Sequence, residues 1–161
     1  VREYSLAYVR ALQDGGIAAC AKHFPGDGVD FRDQHLHPTY NSLSAEEWDK
    51  TYGAVYKRLI DAGLLSVMAA HICQPALSMR ENPHLTFADC LPGSLSPELL
   101  QGVLRGKLGF HGLIATDATI MAGFTQAMPR REAMPAAIMA GVDMFVFTTD
   151  FYEDSGICWM R

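Results

Sequence analysis

The chain has 161 residues, of which 49% are hydrophobic and 19% are charged, and its formal net charge is −5 at pH 7. This length and balance suit one globular domain with a core of its own. The negative charge argues against nucleic acid as the main partner, because phosphate binding needs a basic surface. No apolar run reaches the ~20 residues of a membrane span. We therefore expect a small-molecule partner, and neither nucleic acid nor a membrane.

Four times along the chain, a helix-like stretch ends near glycine and a short apolar run follows. Glycine is common just past a helix end, and short apolar runs bounded by turn residues suit the strands of a buried parallel sheet. A buried helix is the competing interpretation, but each run is too short for one. The predicted strands cover residues 17–21, 64–70, 113–115 and 142–147.

The predicted helices alternate with these strands and carry capping residues. Ser44, with Glu47 three residues later, forms a capping box, and Ser96 places an N-cap before Pro97 in the first turn. Pro135 is expected to kink or restart the last helix. The predicted helices cover residues 3–13, 44–62, 96–107 and 130–140. This alternation predicts an α/β fold with a parallel sheet.

Every predicted strand leads into polar residues that are capable of chemistry. In a parallel sheet these strand ends lie at one edge, which carries the active site of (β/α)8 barrels and the binding crevice of open sheets. Long loops follow the first three strands, as is typical of functional loops. We therefore expect a functional site at this edge, built around Lys22-His23, His71, Asp117 and Asp150.

The densest segment begins with Lys22 and His23, which stand just before a turn rich in proline and glycine. The turn presents both side chains at the sheet edge, where they can donate hydrogen bonds to the hydroxyl groups of a ligand. A structural turn with a satisfied histidine is the alternative. His71, at the end of the second run, is a further candidate for binding the substrate.

The next segment contains Asp33-Gln34-His35. In an extended chain, residues two apart point the same way, so Asp33 is expected to orient the imidazole of His35 and to stabilise its charged form. A histidine held in this way can act as a general acid and base. Taken alone, the pattern is also compatible with a solvated, charged loop.

Asp117 ends the third run and is followed by the small residue Ala118. A carboxylate at the mouth of a sheet can attack a bound sugar, as nucleophilic carboxylates do in retaining glycosidases. On its own, Asp117 can equally be a helix N-cap or a partner in a structural ion pair.

A metal site is the rival interpretation of the histidine-rich segment, since five potential ligands lie close together in it. However, no H-E-x-x-H or C-x-x-C motif fixes their spacing, and two glycines and a proline interrupt them. We therefore expect neither a metal nor a cofactor. The potential ligands are His23, Asp27, Asp33, His35 and His37.

The cysteines form no C-x-x-C pair and are interpreted as free thiols of a reducing compartment, which favours a cytoplasmic location. The chain starts within a helical pattern and stops without a closing element, so we interpret it as a fragment of a longer protein. The cysteines are Cys20, Cys73, Cys90 and Cys158.

These segments occur in an order that resembles glycoside hydrolase family 3, and within it the β-N-acetylglucosaminidase branch. The resemblance covers about residues 1–150. It departs from the family at Asp27, where the turn usually reads G-H-G. The extra negative charge is expected to change the selectivity for the sugar or the leaving group. The motifs are Lys22-His23-Phe24-Pro25-Gly26-x-Gly28, Asp33-x-His35, Val67-Met68-x-x-His71-Ile72, Leu95-Ser96-Pro97, Leu104-Arg105-x-x-Leu108-Gly109-Phe110-x-Gly112-Leu113-Ile114-x-Thr116-Asp117-Ala118 and Ala140-Gly141-x-Asp143-Met144.

The resemblance implies a two-step hydrolysis that retains the anomeric configuration. The family nucleophile matches Asp117, and the histidine acid/base of this branch with its aspartate partner matches His35 and Asp33. The sugar-binding K-H pair matches Lys22 and His23. The expected substrate is a small-molecule or oligosaccharide glycoside with terminal β-linked N-acetylhexosamine, foremost N-acetylglucosamine. A β-glucosidase and a non-catalytic sugar-binding domain are the alternatives.

The resemblance also implies the fold, a partial (β/α)8 TIM barrel with about four β/α units of its C-terminal half. Residues 1–161 are then a fragment of a single catalytic domain, and the missing N-terminal half of the same barrel is its partner. Four strands cannot close an eight-stranded barrel, so two strand edges are expected to be exposed and the isolated chain to have little or no activity.

Overall fold

The structure is a computed structural model and describes residues 1–146. The strand residue Phe147, the strand-end candidate Asp150 and Cys158 lie outside the described residues. The described strands are β1 Cys20–Phe24, β2 Thr39–Tyr40, β3 Ser66–Ala69, β4 Ile72–Cys73, β5 Leu113–Ala118 and β6 Met144–Val146. Four of them form one sheet in the order β1–β3–β5–β6, and β2 pairs with β4 separately.

All neighbours in the four-stranded sheet are parallel, which confirms the predicted α/β fold with a parallel sheet. The strands follow one another across the sheet in chain order, as sequential crossover connections produce. Within the described residues the sheet is open, with β1 and β6 at its two sides. The partial barrel remains a prediction, because an open sheet of four strands is also compatible with other parallel α/β folds.

The helices begin and end close to the predicted positions. Ser44 accepts a hydrogen bond from the Glu47 amide at 3.2 Å and the Glu47 carboxylate accepts one from the Ser44 amide at 2.9 Å, so the capping box is present. A π-helical turn, Asp49–Gly53, divides the helix that follows, and Glu98–Lys107 is π-helical throughout. The α-helices are α1 Arg2–Asp14, α2 Ala45–Trp48, α3 Ala54–Asp61, α4 Pro75–Glu81, α5 Ala122–Thr125 and α6 Arg130–Ala140.

Two expectations about local structure were wrong. The first strand begins at Cys20 rather than at Ile17, because the Ile17 amide closes the end of α1 by donating to the carbonyl of Leu12 at 2.9 Å. Lys22 and His23 are consequently part of the strand instead of following it. The second error concerns the predicted restart at Pro135, because α6 continues through this buried proline as one helix.

The helical layer holds the turn that follows β1. Trp48 is fully buried and its indole nitrogen donates to the carbonyl oxygen of Pro25 at 2.6 Å. Tyr52 donates from its hydroxyl to the carbonyl oxygen of Asp27 at 2.7 Å. Gly26 has a φ of 138°, and a Cβ atom there would lie 2.5 Å from the Tyr52 ring, so only glycine fits this position. The turn is thus fixed from outside the sheet.

We expect the 161-residue chain to self-associate and to bind a hydrophobic dye. In the described part, β1 and β6 each have one neighbouring strand in this sheet, and apolar side chains beside the open edges are exposed, including Ile17 at 60% and Met144 at 44%. Sedimentation velocity and dye fluorescence measure these two properties. A monomeric chain that unfolds cooperatively and does not increase the fluorescence of the dye would contradict the predicted exposure of the strand edges.

Candidate active site

The ends of β1, β3 and β5 bring polar residues together at one edge of the sheet, as predicted. The Nε2 atom of His23 lies 3.5 Å from Oδ2 of Asp117. The Nε2 atom of His71 lies 3.1 Å from the carbonyl oxygen of Ala118, the residue after Asp117. Residues that lie far apart in the chain therefore contact Asp117 and the residue that follows it.

Asp117 is mostly buried, with 14% of its side chain exposed. Its Oδ1 atom accepts a hydrogen bond from the Ala118 amide at 2.8 Å, while Oδ2 is the oxygen nearest His23. One oxygen is thus held by the backbone and the other is directed to the neighbouring strand end. These two contacts fix the orientation of the Asp117 carboxylate at the strand end.

His23 lies between two carboxylates, because its Nδ1 atom is 3.7 Å from Oδ2 of Asp27. Burial lowers the pKa of His23, and the negative charge of Asp117 opposes that shift. The imidazole is therefore expected to be neutral at neutral pH, when it can donate one hydrogen bond and accept another. Lys22, the other half of the predicted sugar-binding pair, is exposed beside it.

His71 is 1% exposed, and both of its ring nitrogens have partners inside the protein. Burial lowers the pKa of His71 to about 4, so the ring is neutral at physiological pH. A carbonyl only accepts hydrogen bonds, so Nε2 donates to Ala118 and Nδ1 accepts from the hydroxyl of Ser94, 2.7 Å away. This geometry does not support the predicted contact of His71 with substrate. It indicates instead that His71 fixes the backbone beside Asp117.

Asp33 and His35 are paired, but not through the extended backbone that we expected. The Oδ1 atom of Asp33 lies 2.7 Å from Nδ1 of His35 and accepts the His35 amide at 2.9 Å. The chain turns here, since the amides of Leu36 and His37 both donate to the carbonyl of Asp33. The hydrogen bonds from His35, first that of its amide, hold the pKa of Asp33 below its usual value. An ionised carboxylate only accepts hydrogen bonds, so Nδ1 of His35 donates to Asp33.

The loop that carries Asp33 and His35 is bonded to the segment that follows Asp117. The Ala122 amide donates to the carbonyl of His35 at 3.1 Å, and the Gly123 amide donates to the carbonyl of Gln34 at 3.2 Å. These two amides open α5, where backbone donors lack partners within the helix. The structure therefore places the histidine loop beside the strand end of Asp117.

Gln34 was not predicted as a functional residue, because in the sequence it is only the spacer between Asp33 and His35. Gln34 is 5% exposed, although the side chains on either side of it are well exposed. Its partners come from three different strand ends, and pairing across such distances leaves no periodic pattern in a single sequence. Ser94, the partner of His71, was missed for the same reason.

Neither a metal site nor a membrane span has structural support in the part of the chain that the structure describes. Residues 1–146 contain no group of three or more His, Cys, Asp or Glu side chains that could hold a metal ion. No helix among them is long and apolar enough to cross a membrane.

Polar residues at the carboxyl edge of a parallel sheet define the chain as an α/β protein with its site at the strand ends. The model of the glycosyl hydrolase family 3 N terminal domain matches residues 1–156, and the chain belongs to this family. The matched domain is the N-terminal one of the family, and the match does not divide it into halves. The placement in the C-terminal half of a barrel therefore remains a prediction.

The relatives carry related names. Over 149 residues the chain is 51% identical to a beta-N-acetylglucosaminidase/beta-glucosidase of Cellulomonas fimi, covering 92% of this chain and 26% of that protein. The structure of this chain is similar to that of the beta-glucoside phosphorylase BglX bound to 2FGlc, with a TM-score of 0.92 and 50% identity. The match covers 94% of this chain and 27% of that one. A family 3 β-N-acetylglucosaminidase from Paenibacillus sp. str. FPU-7 has a TM-score of 0.79, 32% identity, and coverage of 93% and 27%. The chain thus spans about a quarter of each.

Proposed function

We propose that the chain supplies the catalytic edge of a retaining β-glycosidase that releases terminal β-linked N-acetylglucosamine. Asp117 is the nucleophile, His35 is the general acid and base, and Asp33 is its partner. One observation carries this proposal: the loop with the Asp33 and His35 pair is hydrogen-bonded to the segment that directly follows Asp117. A proton donor and a nucleophile on two sides of one glycosidic bond are what retaining hydrolysis requires.

The proposed reaction has two steps. In the first, Oδ2 of Asp117 attacks the anomeric carbon, and the bond to the leaving oxygen breaks as Nε2 of His35 gives that oxygen its proton. In the second, the neutral His35 takes a proton from the acceptor, which attacks the same carbon and releases Asp117. Asp33 accepts from Nδ1 throughout and stabilises the charged imidazolium. Lys22 and His23 bind sugar hydroxyls beside Asp117.

The proposal includes the parent fold. Four parallel strands in chain order, with an open edge on each side, fit one half of a (β/α)8 barrel. The missing half is then the N-terminal part of the same catalytic domain, to which residues 1–161 belong. Cys20, Cys73 and Cys90 are free thiols among the described residues, which supports a reducing, cytoplasmic compartment.

Phosphate as the acceptor is a second candidate, because the chain is 50% identical to a protein described as a beta-glucoside phosphorylase. A histidine acid/base fits an anionic acceptor, since an imidazole without its proton is neutral and does not repel phosphate as a carboxylate would. The product would be a sugar 1-phosphate instead of the free sugar. The name of the Cellulomonas fimi relative also keeps β-glucosides as the alternative substrate class.

The acceptor and the stereochemistry are both tested by product analysis. The chain is first placed in the Cellulomonas fimi relative in exchange for its matching segment, which gives a chimaera with the rest of the enzyme. We expect aryl β-N-acetylglucosaminide to yield first the β-anomer of the free sugar in water. Proton and phosphorus NMR follow the anomer and any sugar 1-phosphate.

Faster turnover with added phosphate, with the sugar 1-phosphate as main product, would favour the second candidate. Release of the α-anomer first would contradict retention and with it the role of Asp117. Parallel reactions with the matched aryl β-glucoside show which of the two sugars is released faster. The unaltered relative is the reference for both measurements.

A further inference from the structure

Gln34 occupies a junction between three strand ends. Its side-chain oxygen accepts a hydrogen bond from the amide of His71, which follows β3, at 3.2 Å. Its side-chain nitrogen donates to Oδ2 of Asp27, in the turn after β1, at 3.4 Å. Its carbonyl accepts from the amide of Gly123, after β5, at 3.2 Å. One residue of the histidine loop thus contacts the segments that follow three neighbouring strands.

A carboxamide side chain fits this junction, because the His71 amide requires an acceptor and the Asp27 carboxylate requires a donor. The oxygen and nitrogen of one carboxamide group supply both. Leucine would leave the His71 amide without its partner, and a charged glutamate would turn an anionic oxygen toward Asp27. A buried polar group without a partner is unfavourable, so removal of either bond favours release of the loop. The 5% exposure of Gln34 keeps water from replacing these bonds.

The segment that receives the loop is shaped for close contact. A Cβ atom at Gly123 would lie 2.6 Å from the carbonyl oxygen of His71, so a side chain there would push the segment away. The absence of a side chain lets the Gly123 amide reach the carbonyl of Gln34. The neighbouring Ala122 amide reaches the carbonyl of His35 in the same way. Both contacts therefore depend on the loop staying docked.

We propose that Gln34 is a positioning residue that latches the histidine loop onto the strand ends and so holds His35 beside Asp117 before substrate arrives. This inference rests on the proposed function, because the value of the latch lies in placing a proton donor opposite a nucleophile. Gln34 does not touch the substrate and transfers no proton. Because the docked loop is already ordered, no conformational entropy of the loop is lost in each catalytic cycle.

The latch is tested by hydrogen exchange in the chimaera. In Gln34→Ala, the amides of Ala122 and Gly123 are expected to exchange on the order of tenfold faster, as the loss of two hydrogen bonds predicts. Peptides from β3 and β5 should keep their protection. Gln126→Glu, on the exposed end of α5, is the control for a change in that segment.

Gln34→Glu adds a readout that a general loss of stability would not give. At about pH 7.5 the glutamate is charged and repels Asp27, so the two amides should exchange as fast as in Gln34→Ala. Burial and the nearby Asp27 carboxylate favour the protonated form of this side chain, so on acidification it gains a proton, can donate to Asp27, and should restore part of the protection. The other titratable groups around this junction are present in every variant, so the unsubstituted chimaera and Gln126→Glu correct for them. They are His23, Asp33, His35, His71 and Asp117.

Three outcomes of the exchange experiment overturn the latch. Exchange that is unchanged in Gln34→Ala, exchange that rises equally in β3 and β5, or protection in Gln34→Glu that does not depend on pH after correction would each do so. Kinetics in the chimaera separate this failure from that of the proposed function. Gln34→Ala should lower kcat for poor leaving groups more than for good ones, with KM nearly constant. If His35→Ala shows that contrast and Gln34→Ala does not, the positioning role fails while the proposed function stands. If neither variant shows the contrast between leaving groups, but the Ala122 and Gly123 amides exchange faster in Gln34→Ala, the proposed function fails.

Discussion

Asp117→Asn is expected to abolish turnover in the chimaera, with kcat reduced by at least about 10⁴-fold, as the loss of a nucleophile typically costs. Asparagine keeps the size of the side chain and can still accept from the Ala118 amide, so the strand end should keep its shape. It lacks the negative charge that attacks the anomeric carbon. The measurement is kcat on an activated aryl glycoside, together with circular dichroism to verify the fold.

The same prediction has a direct chemical test. A fluorinated sugar that keeps the 2-acetamido group and carries a good leaving group slows the second step and should leave a covalent ester on Asp117, which peptide mapping locates. Asp14→Asn, at the exposed end of α1, is the matched control and should keep full activity. Labelling of a different carboxylate would show that Asp117 is not the nucleophile.

His35→Ala is expected to impair poor leaving groups far more than good ones, because only a poor leaving group needs a proton as it departs. General acid assistance is typically worth ~10²–10⁴-fold, so kcat/KM for an alkyl glycoside should fall by about that factor while an activated aryl glycoside is largely spared. Asp33→Ala should give the same pattern more mildly, since Asp33 orients and charges the imidazole without transferring the proton. A series of aryl glycosides with graded leaving groups measures the contrast.

His37→Ala is the control within the same loop, because it removes an exposed imidazole two residues away and leaves the Asp33 and His35 pair intact. It should not change the dependence on the leaving group. Equal losses for good and poor leaving groups in His35→Ala would mean that His35 only binds substrate. The proton donor would then lie elsewhere, and the β-glucosidase alternative would gain support.

The sequence was sufficient to predict features that depend on local chemistry. Parallel strands that end in polar residues predicted that His23 and Asp117 would meet, because strand ends in such a sheet share an edge. The capping box at Ser44 and Glu47 depends on residues three apart and was also correctly predicted. Spacing predicted that Asp33 and His35 would pair, but the backbone between them is a turn and not a strand. Pairing was predictable because both geometries bring these neighbours together.

Features that depend on distant parts of the chain were not predictable. Gln34 and His71 are 37 residues apart and meet only after the sheet has formed. The same holds for His71 itself, whose polarity suggested a role in binding until burial and two internal partners indicated a structural one. A single sequence shows the type of side chain but not the direction in which the fold turns it.

The contact between the turn after β1 and the outer helices has a consequence for how such sequences diversify. Gly26 and Tyr52 share one space, since a Cβ atom at position 26 would overlap the aromatic ring. Replacement of Tyr52 alone leaves a gap beneath the turn that carries Asp27, whereas replacement of Gly26 stays strained even beside a smaller residue at 52, because its φ is 138°. Directed evolution of this chain should therefore keep Gly26 and vary position 52.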